Sequence, residues 1–449
     1  MNRKNAILGM FTMASAVAFA GTTPVVTSVT MVQPNDTRRT TVTYTLDNAP
    51  SVVTFDVQTN YTENGVTKWA SIGGAAVSNA KGAVWRKVTE DDMNSDGKYE
   101  ITWRPDQSWP DHKIADGGAR AVVTAWALDN TPAYMVVDIS AAAKPNTQTY
   151  YPSVDHLPGG LLGNDNYRTT KIVMRKIMAK DVEWTMGSTT LETKRSTDGR
   201  ENSHQVTLTN NYYIGVFPVT QAQWDLIQPN RLAPSMFENP AFRAMRPVEN
   251  VCYNEIRMSN NSTSSADGAA EWPAAPYGKS VLGLLRTKTG IDFDLPSEAQ
   301  WEFAARAGNG DTKWGDGSGI LNMNKDANLG KLGRYLRNGG YINETDSPPA
   351  DCTADHATAV VGTCKQNDWG LYDVHGNVWE LCLDWFEIDI TSKNGAVVNV
   401  KGSMDGRVVR GGSWNREALY ARSAYRRNVT SDKRDVNLGF RLACTAGLE

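Results

Sequence analysis

The sequence predicts an α+β chain in two parts: an N-terminal all-β sandwich, then a larger domain with little regular secondary structure. Three observations carry this. Between residues 24 and 140, six short runs rich in Val, Thr and Tyr are separated by Asn, Asp, Gly or Pro. Beyond residue 170, two stretches combine a capping residue with helical spacing. After Gly308, long segments dense in Gly, Asn, Asp and Trp are broken only by short strand-like runs. Loops of that length are normally functional or pinned.

Taken in order, residues 1–20 read as a secretory leader. Arg3 and Lys4 precede an apolar run that ends in Ala18-Phe19-Ala20 before Gly21, and cleavage is expected after Ala20. No later stretch is apolar for long enough to span a membrane, so no span is expected in the mature chain. The sandwich is assigned to residues 21–141. Its strands are VVTSVTMVQ, RTTVTYTLD, SVVTFDVQT, YEITWRP, ARAVVTAWALD and AYMVVDIS, a pattern that suits an immunoglobulin-like or fibronectin-like arrangement. DDMNSDGKYE (91–100) has the composition of a calcium loop without its full ligand spacing, and reads better as a turn.

Residues 142–169, rich in Pro, Gly and Asn, read as a connector. The second domain is assigned to residues 170–445. It opens on the strand-like KIVMRKI, VEWTMGS and HQVTLTNNYYIGVFPVT. Thr220 is placed to cap a helix through Trp224 and Ile227, and Ser297 to cap one that ends before Gly308.

The 449-residue chain carries a net charge of −3, which argues against a whole-molecule nucleic-acid binder. Export would permit disulfides among its 5 cysteines. Cys352 and Cys364 flank one polar segment and could close a loop; the alternative is that each thiol is a small buried hydrophobe. The C-terminal stretch 401–443 holds ten basic residues against four acidic ones, an excess of +6. Such a surface would suit an anionic glycan or an acidic protein.

Several phrases occur in order: VEWTMGS, YYIGVFPVTQAQW, RPVENVCYNE, FDLPSEAQWEFAARAG, WGLYDVHGNVWELCLDW, RVVRGGSW and NLGFRLA. Together they resemble the formylglycine-generating-enzyme (sulfatase-modifying factor) family over about residues 170 to 445. The resemblance implies a compact variant of the C-type-lectin fold, and it does not reach residues 21–150. The family's oxidase branch acts on sulfatase cysteines with a copper-binding cysteine pair just after the GGS-W/Y phrase. Those positions fall here on Arg416 and Ala421, which cannot supply thiolates to copper, so no copper is expected. An iron-dependent branch uses histidine ligands. The five histidines here, His112, His156, His204, His356 and His375, share no helical face.

A third branch binds ligands and includes the variable proteins of diversity-generating retroelements, which display residues between fixed phrases like RGGSW, RSA and GFRLA. The resemblance then implies a non-catalytic binder of a glycan or protein. Its displayed residues would be Asn415, Arg416, Glu417, Leu419, Tyr420, Tyr425, Arg427 and Asn428. Tyr and Arg together suit recognition surfaces. A maturation oxidase and a structural envelope component are the alternatives. Trp414, Arg410 and Arg441 sit in the fixed phrases and are expected to be buried. The family's calcium ligands would fall on Asp373, the Gly376 and Val378 carbonyls and Glu380, with a further pair at Asn328 and the Leu329 carbonyl. Asp351 or Asp355 would complete the set.

Overall fold

A computed structural model describes residues 23–34, 37–114, 116–192, 195–230, 232–258, 275–338, 357–391 and 406–448. The leader, Cys352, Asp351, Asp355, His356, Lys401 and Asp405 lie outside these residues. The N-terminal strands are β1 (Val25–Val32), β2 (Thr40–Asp47), β3 (Ser51–Glu63), β4 (Val66–Ser71), β5 (Lys81–Gly82), β6 (Lys87–Val88), β7 (Tyr99–Trp103) and β8 (Ala119–Trp126). They form two sheets, β1-β2-β7-β5 and β4-β3-β6, with β8 also paired to β3. Alternation explains the layering: in β2 every second residue, from Thr40 to Leu46, is buried. Val42, Tyr44 and Ile101 of one sheet share a core cluster with Val53, Phe55 and Val57 of the other. The acidic segment 91–100 is a turn, with Asn94 Oδ1 accepting from the Asp96 and Lys98 amides.

Strand pairing continues across residue 141. AYMVVDIS forms β9 (Tyr134–Asp138), which pairs not with the first domain's strands but with β11 (Lys171–Ile177). The expected connector contributes β10 (Thr149–Tyr151), which pairs with β9. Period-two alternation identifies a strand but not its neighbour, and both flanks of β9 offered partners. Tyr150, Leu157 and Tyr167 of the supposed connector are all buried. One apolar cluster runs from Tyr44, Phe55 and Trp103 to Val173, Phe217 and Tyr372, so the two parts share a core.

The remaining strands are β12 (Glu183–Met186), β13 (His204–Thr207), β14 (Tyr212–Gly215), β15 (Trp379–Trp385), β16 (Arg407–Arg410), β17 (Arg427–Val429), β18 (Leu438–Phe440) and β19 (Ala443–Thr445). They form a five-stranded sheet, β10-β9-β11-β14-β19, a β12–β13 hairpin and a second sheet, β17-β16-β15-β18. Within this mostly β domain, both expected helix caps form. Thr220 caps the helix Gln221–Ile227 in a reciprocal box with Gln223, and Ser297 caps Glu298–Arg306 with Gln300. A third helix, Val281–Thr289, was not expected, although Ser280 caps it and Gly290 closes it with φ of 71°.

Glu249, the last residue of RPVE, lies in the core. Its Oε1 accepts from the Met236 amide at 2.7 Å and the Phe237 amide at 3.3 Å. Burial pushes its pKa up to about 8, against those amides, Ser235 and Arg246. The folded value lies above the ordinary 4.5. The folded state therefore binds the proton more tightly, and stability falls as pH rises from about 4.5 to about 8. Urea midpoints should decline across that window, and Glu249→Gln should flatten the decline by an amount on the order of a few kcal/mol. Parallel curves for the two proteins would contradict this.

Candidate functional site

The C-terminal face is built on β15, β16 and β17. Every residue of β15 is buried, and β16 pairs with it from Glu380↔Arg410. After β16 the chain turns through Gly411 and Gly412, with φ of 91° and 71°. A Cβ on Gly412 would lie 2.9 Å from the Ala421 backbone, so glycine is required for the two segments to meet. Trp414 is core, as expected, packed edge-on against Phe237 at 5.4 Å.

The basic excess does not form a surface. Arg407, Arg410, Arg422, Arg426 and Arg441 are all buried. Arg441 clamps Glu380 and donates to the carbonyls of Gly215, Val216 and Tyr372. Arg422 pairs with Glu201 through both terminal nitrogens at 3.0 Å, and with Glu192. Arg306, Glu302, Arg410, Glu298 and Arg426 form a continuous buried ladder of alternating charge. Burial alone would raise the Glu302 pKa, but Arg306 and Arg410 hold it below the usual value. Sequence counting sees charge but not burial. The carboxylates that neutralise this stretch come from far upstream (Glu201 lies 221 positions before Arg422). Arg434 also pairs, with Glu255. The expected +6 surface is thereby corrected: beside the paired Arg434, the half-buried Arg416 and Arg427 and the exposed Lys433 are the cations that reach the surface of the described stretch.

The expected ligand residues come together in part. Asn415, Arg416, Glu417, Tyr420, Tyr425, Arg427 and Asn428 are all half-buried. Asn415 is built into the scaffold, its Oδ1 accepting from Asn437 at 2.7 Å. Glu417 accepts from Asn324 at 2.9 Å, and the Arg416 carbonyl accepts from the Leu336 amide. Tyr420 and Tyr425 meet edge-on at 4.9 Å, and both rings lie against Trp379 of β15. Sequence reasoning missed Trp379 as the base of this cluster, although it lies in the VWE phrase. Arg427 and Asn428 sit on β17, an edge strand.

At the positions where the resemblance would place copper thiolates stand Arg416 and a buried Ala421 whose carbonyl accepts from His375 Nδ1. His375 Nε2 accepts from the Gly315 amide, and burial lowers its pKa to about 4, so the ring is neutral and structural. Cys252, Cys364, Cys382 and Cys444 are free thiols. Burial raises the pKa of each, to about 12 for Cys364. The Cys352 half of the suggested bridge lies outside the described residues.

Asp373 fits a cation: it is 1% exposed, its Oδ2 accepts from the Gly362 amide, and its Oδ1 has no partner. Glu380 is committed elsewhere, with both oxygens held by Arg441 and Oε2 also by Trp301 Nε1. Asn328 and Leu329 belong to a separate cluster. The Asn328 amide donates to the Gly319 carbonyl, and Leu329 packs with Trp314 and Tyr335. Among the described residues no three His, Cys, Asp or Glu side chains converge as a metal site.

The family of the Sulfatase-modifying factor enzyme 1-like domain matches residues 170–446, more than half of the chain. The chain belongs to this family. It is 35% identical over 162 residues to the formylglycine-generating enzyme of Streptomyces coelicolor, covering 34% of this chain and 47% of that protein. It is 32% identical over 163 residues to the inactive C-alpha-formylglycine-generating enzyme 2 of Mus musculus, covering 34% and 43%. The chain thus spans less than half the length of these curated relatives. Among solved structures, Treponema denticola variable protein 1 aligns over 62% of this chain and 96% of its own, with 26% identity and a TM-score of 0.43. Among the described residues, no helix is long and apolar enough to cross a membrane.

Proposed function

We propose that this is an exported, non-catalytic member of the family. Its N-terminal β-sandwich supports a C-type-lectin-like domain whose C-terminal face binds a glycan or protein. One observation carries the reading. Where the family's oxidases hold two thiols, this chain has Arg416 and Ala421, while Tyr420 and Tyr425 stand half-exposed on Trp379 beside them. Half-exposed aromatic rings backed by core suit recognition rather than electron transfer. The mouse relative that is inactive by name is consistent with loss of chemistry in the family. With most arginines paired inside, the ligand need not be strongly anionic. The test is a glycan and protein array probed with the full chain and its Arg416→Ala and Tyr420→Ala variants.

Calcium, where bound, would be held by Asp373 with the Gly376 and Val378 carbonyls, and would supply counter-charge to a buried carboxylate oxygen. Calcium at 100-fold over its dissociation constant stabilises by about 2.7 kcal/mol. The Tm in calcium should therefore exceed that in chelator by several degrees, and Asp373→Asn should abolish the difference. Equal values for the unaltered protein in both buffers would remove calcium from the account.

A further inference from the structure

Away from the C-terminal face lies a pocket of about 300 Å³, between the β12–β13 hairpin and the loop after the helix Glu298–Arg306. Its apolar wall is Trp184 and Phe303, with ring centroids 5.2 Å apart, and Trp369 braces Phe303 at 5.1 Å. Its polar side is Arg306, Asn309 and Asp311. The Thr189 amide donates to Asp311 Oδ2 at 2.7 Å, tying the hairpin to the loop. Arg306 is fixed through Nε on Glu302 and Nη2 on the Gly187 carbonyl, which leaves Nη1 without a protein partner. Asn309 spends its amide nitrogen on the Gly315 carbonyl and Asp368, which leaves its oxygen as an acceptor.

The pocket therefore offers one fixed donor, two acceptor groups and an aromatic face. Glu302 already pairs with Arg306, and Asp311 on the pocket wall would repel an anion. A cation would meet the guanidinium. A ring with an apolar C–H face and vicinal hydroxyls satisfies every group: hydroxyl oxygens accept from Arg306 and hydroxyl protons go to Asn309 and Asp311. The volume lies at the small end of ligand sites, roughly 300–1,000 Å³, and suits one ring rather than a chain. We propose that this pocket binds a single neutral monosaccharide unit, independently of the C-terminal face.

Saturation-transfer NMR on the full chain, with the methyl glycosides of glucose, galactose, mannose and N-acetylglucosamine and with glucuronate, tests this. At least one neutral glycoside should receive saturation, strongest at its ring C–H protons. Trp184→Ala should weaken it by about tenfold or more, a loss of ~1.4 kcal/mol, while Trp184→Phe should retain binding. Gly310→Trp provides a second block that spares the core. Gly310 lines the pocket and a Cβ there meets nothing within 4 Å, so a large side chain can be added without a backbone clash and is expected to obstruct entry. Lys68→Ala, in the exposed Lys68–Glu63 pair of the N-terminal strands, should leave the signal unchanged. The proposal is overturned if no neutral glycoside is saturated, if glucuronate alone is, or if both blocking variants bind like the unaltered chain.

Discussion

Glu302→Gln is expected to destabilise the second domain by roughly 3–5 kcal/mol, the usual cost of stranding a buried charge. Glu302 is fully buried, pairs with Arg306 and Arg410, and accepts from the Gly187 amide at 2.8 Å. Removing its charge leaves the Arg306 guanidinium without its carboxylate and Arg410 sharing Glu298 with Arg426. The ladder links the helix Glu298–Arg306, β16 and the Arg426 segment, so the loss should reach the C-terminal face as well. Denaturant midpoints measure it, with Lys68→Ala in the exposed Lys68–Glu63 pair as control. A Glu302→Gln shift no larger than the control's would mean that the ladder is dispensable.

The second large effect is on binding. Tyr420→Ala and Tyr425→Ala each remove one ring of the three-ring cluster they form with Trp379. Truncating a central aromatic anchor costs about 2 kcal/mol or more, near thirtyfold in affinity. Both rings also pack against the main core, so circular dichroism and a thermal melt must accompany each titration. Arg416→Ala should weaken binding less, because water screens the charge of a half-exposed guanidinium. Undiminished affinity in the folded Tyr420→Ala protein would move the ligand elsewhere.

Much of this was legible in the sequence. The strand runs from Val25 to Asp138 and the caps at Thr220 and Ser297 are local signals, and local chemistry decides them. Family phrases carried the rest of the domain, including the burial of Trp414, Arg410 and Arg441. What failed was non-local. β9 alternates properly, yet only its pairing with β11 reveals which sheet it joins. The basic count of 401–443 looked like a surface because Glu192, Glu201, Glu298 and Glu302 lie far upstream. The helix Val281–Thr289 was a local miss: Ser280 and Gly290 marked both of its ends. The pocket at Trp184 joins residues about 120 positions apart, and no spacing in the sequence announces it.

The central claim is that this family member has exchanged chemistry for recognition at Arg416 and Ala421. The most direct measurement is a Cu(I) titration of the purified chain, followed by mass spectrometry of a sulfatase-type cysteine peptide incubated with it under oxygen. The account predicts no stoichiometric copper uptake at that site and an unchanged peptide cysteine. Stoichiometric copper with formylglycine in the product would contradict it.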